Sequence, residues 1–146
     1  MEITIKNLQR RIPVNPHRVK RTVATILCHE GVSQTILSLA FVTDPKIQSL
    51  NQKFRKRCHP TDVLAFDLRA GKIGASRKVK GIEGEIIIST ETVFRNSKLY
   101  RTTPLQELNL CLIHGILHLL GYDDHGPREI RRMRRKEKEL LSLISR

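Results

Sequence analysis

The stretch TPLQELNLCLIHGILHLLGYDDH, Thr103 to His125, carries its own punctuation, and its reading decides the fold. Thr103 suits a helix N-cap, Pro104 the first helical position, Gln106 the capping-box position, and Gly121 a C-terminal stop. Between these signals Leu105, Leu108, Leu110, Leu112, Ile113, Ile116, Leu117, Leu119 and Leu120 make the helix apolar nearly all round. A helix without a polar face must be covered on every side, so it is expected to run through the core. His114 and His118, four apart on one face, are expected indoors with it.

The rest of the chain reads as the cover. Ile3 and Ile5 alternate with Thr4 and Lys6 as in a short half-buried strand. Asn15 to Glu30 carries Val19, Val23, Ile26 and Leu27 at helical spacing and ends before Gly31. TILSLAFV (Thr35–Val42) is a second strand, and Asp44 and Pro45 open a helix that turns Ile47, Leu50 and Phe54 inward. TDVLAFDL (Thr61–Leu68) and GEIIIS (Gly84–Ser89) read as two further strands. A helix from Thr90 to about Leu99 follows. After the histidine helix, Arg128 to about Leu143 places Ile130, Met133, Leu140 and Ile144 near one face of a basic closing helix. The expected fold is α/β (α+β-like): a small mixed sheet of about four strands covered by helices, in one domain over residues 1–146. No repeat, low-complexity tract or linker interrupts it.

Composition narrows the function classes. The 146 residues hold 27 Lys and Arg against 14 Asp and Glu, a formal net charge of +13, which attracts polyanions and points to nucleic acid. The basic residues gather in NLQRRIPVNPHRVKR (Asn7–Arg21), FRKRCH (Phe54–His59), RAGKIGASRKVKG (Arg69–Gly81) and REIRRMRRKEKE (Arg128–Glu139). Aromatics make up only 4%, too few for a sheet that reads RNA by stacking, so backbone and shape contacts are favoured. Cys28, Cys58 and Cys111 are odd in number and form no CxxC, which supports neither a disulfide framework nor a zinc ribbon. No run of about 18 apolar residues occurs, and MEITIKNLQRR lacks the features of a secretory signal. A soluble, unexported chain in a reducing cytoplasm is expected.

Imidazoles four residues apart on a helix lie close enough to share one small cation. Gly121 lets the chain reverse and bring Tyr122, Asp123, Asp124 and His125 back toward the helix end. Three protein ligands with one open position describe a catalytic zinc site; structural zinc is usually closed by four, most often with cysteine. Cys111, one turn before His114, is the residue that would close it, although a reduced buried cysteine usually serves as a small hydrophobe. In the metallopeptidase pattern HExxH the glutamate after the first histidine is the general base. Here that position is Gly115, so the cage is present without the proteolytic apparatus.

HGILHLLGYDDH (His114–His125) resembles the HGxLHLxGYDH signature of the YbeY endoribonucleases, bacterial ribosomal RNA maturation factors. LNQKFRKRCHPTDVLAF (Leu50–Phe66) is similar to that family's LNxx[FY]R followed by PTDVLSF, and GEIIIS to its GDIxIS. Order and spacing agree across most of the chain. The resemblance implies a single-strand-specific, metal-dependent endoribonuclease acting in maturation of the 3′ end of small-subunit ribosomal RNA and in ribosome quality control. It implies one zinc ion, with RNA and the small ribosomal subunit as partners. Carried over by position, His114 and His118 are the first two zinc ligands, and Arg55 is the arginine that acts at the RNA phosphate. Six residues separate His118 from His125 where the family has five, so either His125 binds from a bulged turn or Asp124 coordinates in its place. The reading favours His125. Ala65, Asp67 and Glu85 stand where the family has serine, proline and aspartate. The general base is open among Asp123, Asp124 and Glu85. A zinc hydrolase of another substrate and a ribosome-associated protein with structural zinc are the competing classes; Gly115 argues against the first and the three-ligand count against the second.

Overall fold

The computed structural model describes residues 1–55, 61–69 and 81–145, with the side chains of Phe54 and Arg55 outside that description. Its elements run β1 (Glu2–Asn7), α1 (Pro16–His29), β2 (Gln34–Val42), α2 (Asp44–Arg55), β3 (Val63–Asp67), β4 (Gly81–Ser89), α3 (Thr90–Leu99), α4 (Pro104–Leu119) and α5 (Pro127–Ile144). The sheet order is β1-β2-β4-β3, with β1/β2 and β2/β4 parallel and β3/β4 antiparallel. The expected mixed four-stranded sheet under helices is therefore present. Strand β4 begins at Gly81 rather than Gly84, because its partner β2 extends the ladder back to the pair Gln34–Gly81.

Period-two alternation sorts the strand side chains onto two faces. Leu37, Leu39 and Phe41 of β2 join Ile82, Ile86 and Ile88 of β4 in the main core, which α1, α3, α4 and α5 complete. On the other face Val42, Leu64 and Ile87 pack a smaller cluster against Ile47 of α2. The sheet thus has four helices on one side and α2 on the other.

Local signals act as their chemistry requires. Asn15 caps α1 by accepting from the backbone N–H groups of His17 and Arg18 at 3.1 and 3.2 Å. Gly31, at φ +72°, ends that helix: its N–H bonds the Cys28 carbonyl and that of Val32 bonds Leu27. The junction of α2 and α3 is knotted by Asp44, whose carboxylate accepts from Ser89, Thr92 and Arg95, each at 2.6 Å. Burial pushes its pKa up, but these donors outweigh that and hold the carboxyl below the usual value.

Helix α4 has the foreseen start: Thr103 accepts from the Gln106 N–H at 3.1 Å, and the Gln106 side chain accepts from the Thr103 N–H at 2.9 Å. It lies unusually close to the sheet. A Cβ at Gly115 would stand 2.9 Å from Ile86 Cγ2, and one at Gly84 would stand 2.7 Å from Leu119 Cδ2. Both contacts fall well inside the 3.5–4.0 Å of ordinary carbon packing, so the approach of α4 to β4 requires glycine on each side. The absence of glutamate after His114 follows: that position faces the sheet, where a long acidic side chain has no room.

Candidate metal centre

Helix α4 ends in the turn foreseen at Gly121. With φ at +98°, Gly121 donates to the His118 carbonyl at 3.1 Å and Tyr122 donates to the Leu117 carbonyl at 3.0 Å, the paired bonds of a Schellman cap. The Arg69 guanidinium adds a bond to the Leu119 carbonyl at 2.9 Å and another to Gly81, tying the end of β3 to the end of α4. The reversal carries Asp124 back to the histidines. Ligand atoms of His114, His118 and Asp124 all lie within 4.8 Å of one another.

The two rings meet at 73°, with Nε2 of His114 and Nε2 of His118 3.0 Å apart. Two imidazole nitrogens bound to one tetrahedral zinc at about 2.0–2.1 Å would lie about 3.3 Å apart, so this pair and a carboxylate fit a single small ion. Neither ring is sealed in the core as expected from the apolar helix. The His114 side chain is 29% exposed, because α4 turns this edge toward a cavity rather than toward apolar neighbours. The cavity, about 350 Å³, lies between α4 and the β3 edge and is lined among others by Asn51, Thr61, Asp62, Asp67, Asp124 and His125.

Electrostatics at the pair are set from α5. Nδ1 of His114 faces Glu137 Oε1 at 3.4 Å. That hydrogen bond raises the His114 pKa against the opposing effect of burial, and the charges of Glu137, Asp62 and Asp124 act in the same direction. Cys111 differs. Burial, reinforced by nearby Asp62, pushes its thiol well above 9.0, so it stays protonated and outside the donor group. The closed, cysteine-bearing site weighed from the sequence is not what the chain builds among the described residues.

Of the residues expected from sequence, His114 and His118 are brought together. The third member of the group is Asp124, not His125; the latter lines the cavity, and its backbone N–H donates to Asp123 at 3.3 Å. Arg55 is the last residue of α2, and its side chain lies outside the described residues. The basic stretches at 56–60 and 70–80 lie outside them as well. Among the candidate bases, Glu85 lines a separate concavity on the opposite sheet face with Lys6 and Lys46, since alternation along β4 turns it away from α4. Asp62 and Glu137 are site residues that sequence reasoning missed. The first sits just ahead of β3 within PTDVLAF, and the second interrupts the apolar face of α5.

A family model described as Endoribonuclease YbeY matches residues 4–145. The chain belongs to the YbeY family. Curated members include the Endoribonuclease YbeY of Syntrophus aciditrophicus, 33% identical over 99% of this chain and 90% of that protein. That of Carboxydothermus hydrogenoformans is 35% identical over 96% of this chain and 95% of the relative. A solution structure of a Thermotoga maritima protein shares 26% identity and aligns with a TM-score of 0.64 over 97% of this chain and 88% of that one. The YbeY-family fold and the histidine helix are thus common ground between sequence and structure. Among the described residues no helix is long and apolar enough to cross a membrane.

Proposed function

We propose that this chain is a zinc-dependent endoribonuclease of single-stranded RNA. The observation that carries the reading is the convergence of His114, His118 and Asp124 at the wall of a cavity of about 350 Å³. Two imidazoles with one carboxylate suit zinc better than the all-oxygen preference of magnesium or calcium. When bound by three protein ligands, zinc keeps an open position, acidifies bound water and polarises a phosphoryl oxygen.

The chain's own residues supply the rest. Arg55 is assigned the scissile phosphate, where a guanidinium pairs two oxygens as charge gathers on them. Asp62 lines the cavity outside the donor group, whereas the Asp67 carboxylate is held by Arg69; Asp62 is therefore assigned to receive the proton of the attacking hydroxyl. Arg128, Arg131, Arg132, Arg134, Arg135 and Lys138 are exposed on α5, which starts two residues after His125, and they draw the polyanion toward the cavity. His125, at the cavity wall, is the alternative third ligand.

The resemblance of 50–66 and 114–125 to the family's signatures supports a finer reading. The substrate is the 3′ end of small-subunit ribosomal RNA, the partner is the ribosome or its small subunit, and the work includes ribosome quality control in the cytoplasm. Residues 1–146 are read as one endoribonuclease domain.

The test compares cleavage of single-stranded ribosomal RNA by wild type, Arg55→Ala and His114→Ala, alongside metal content. Both variants should lose cleavage, and only His114→Ala should lose metal. Cleavage that survives metal removal overturns the mechanism. Folded, metal-loaded wild type that binds ribosomes without cutting RNA moves the chain to the class of non-catalytic factors.

A further inference from the structure

The buried face of α5 runs Ile130, Met133, Glu137, Leu140 and Ile144, spaced by three or four residues, and one of the five is a carboxylate. Met133 and Leu140 are 2% and 0% exposed, and the Glu137 side chain between them is 17% exposed. A leucine would fit the stripe at lower cost, since withdrawing a charge from water is unfavourable unless a partner compensates. Among the described residues, the neighbouring lysine does not supply that partner. Lys136 is engaged by Glu30 at 2.9 Å and Glu139 at 2.8 Å. What Glu137 faces is Nδ1 of His114, at 3.4 Å.

A carboxylate that faces Nδ1 favours one tautomer of the ring. An ionised carboxylate only accepts, so the hydrogen bond requires the proton on Nδ1. In the neutral ring Nε2 then holds the lone pair, and Nε2 is the atom that points at His118 Nε2. A free imidazole divides its proton between the two nitrogens. Holding it on Nδ1 keeps the ligating atom available and fixes the plane of the ring.

We propose that Glu137 is a positioning residue of the metal centre, setting the tautomer and orientation of His114 from the closing helix. This rests on the metal-centre reading above. It makes α5 part of the site, although none of the three donors lies on that helix.

The experiment uses Glu137→Leu, Glu137→Gln and wild type as full chains. In metal-free protein, ¹⁵N–¹H spectra of the imidazoles report which His114 nitrogen is protonated; wild type should show the Nδ1–H form and Glu137→Leu a mixture. Zinc dissociation constants from chelator competition should rise about 10- to 100-fold in Glu137→Leu. Glu137→Gln, whose amide oxygen still accepts from Nδ1–H, should recover most of that loss. Thermal unfolding of the metal-free chains separates this from a packing role: Glu137→Leu should be at least as stable as wild type. An unchanged His114 tautomer in Glu137→Leu, or zinc affinity within twofold of wild type, overturns the proposal. Wild type that binds no zinc defeats the metal-centre reading instead, and the tautomer comparison still decides the role of Glu137.

Discussion

Replacing Gly115 with alanine tests how closely the histidine helix is held against the sheet. In an exposed helix the change would stabilise by about 0.8–1.0 kcal/mol, because alanine loses less backbone freedom than glycine. Here the new methyl would stand 2.9, 3.0 and 3.2 Å from Cγ2, Cδ1 and Cγ1 of Ile86. Ile86 is fully buried and β-branched, so it cannot rotate clear without meeting other core atoms. Forced overpacking of this kind costs about 1–3 kcal/mol, which leaves a net destabilisation of about 0–2 kcal/mol. The sharper measurement is a double-mutant cycle by urea denaturation. Ile86→Ala alone should cost about 2–5 kcal/mol through its cavity. In the double variant the alanine at 115 sits partly in that cavity, so the pair should be at least 1 kcal/mol more stable than the sum of the singles. Additivity within about 0.5 kcal/mol, or a Gly115→Ala protein stabilised by the full helix-propensity gain, would refute the close approach.

Four further outcomes are expected. Asp124→Ala should lose zinc while His125→Ala keeps it, measured as bound metal per folded chain; the reverse result assigns the third place to His125. Gly121→Ala, at φ +98°, should lower stability by about 1–2 kcal/mol in chemical denaturation and loosen the turn that returns Asp124. Asp44 has a folded pKa below its ordinary 3.8, so its contribution is present above that value and lost as pH falls through the depressed one. Asp44→Asn should therefore flatten the acid limb of stability below about pH 4 and leave its shape near neutrality unchanged, as read by thermal unfolding across pH. Neutralising Arg131, Arg132, Arg134 and Arg135 should reduce the slope of log affinity for single-stranded RNA against log salt by about 0.7 for each phosphate that the helix no longer neutralises. An unchanged slope would remove α5 from the RNA path.

Where a structural outcome depends on neighbours in sequence, it was legible. Thr103, Pro104, Gln106 and Gly121 bound α4 because caps and stops are chemistry between residues two to five apart. Gly31 and the start of α3 at Thr90 are legible for the same reason. The His114–His118 pair follows from helical periodicity alone. Choosing between Asp124 and His125 does not, since one extra residue in a turn can be absorbed in several ways; the described backbone brings the Asp124 carboxylate within reach of the two rings and leaves His125 at the cavity wall. Glu85 was a fair candidate as an acidic residue beside an apolar run, but its face depends on strand register, which turns it toward Lys6 and Lys46. Glu137 is the instructive omission. Read as part of a charge run it is ordinary, and read as a gap in the apolar stripe it demands a partner, which only the packing of α5 on α4 reveals.

The candidate donors and the carboxylate that faces them come from a single helical hairpin, His114 and His118 on α4, Asp124 in the turn and Glu137 on α5. The opposite cavity wall comes from Asn51 of α2 and from Thr61, Asp62, Val63, Leu64, Ala65 and Asp67, far away in the chain, with β3 held in place by pairing with β4. Closing the first half joins residues no more than 23 positions apart, whereas closing the second must wait for longer loops to be ordered. On the proposed reading, capture of an ion and competence toward a strand therefore draw on different parts of the chain. The donors of the centre are then local to one hairpin, while the wall against which a substrate would be cut depends on the sheet.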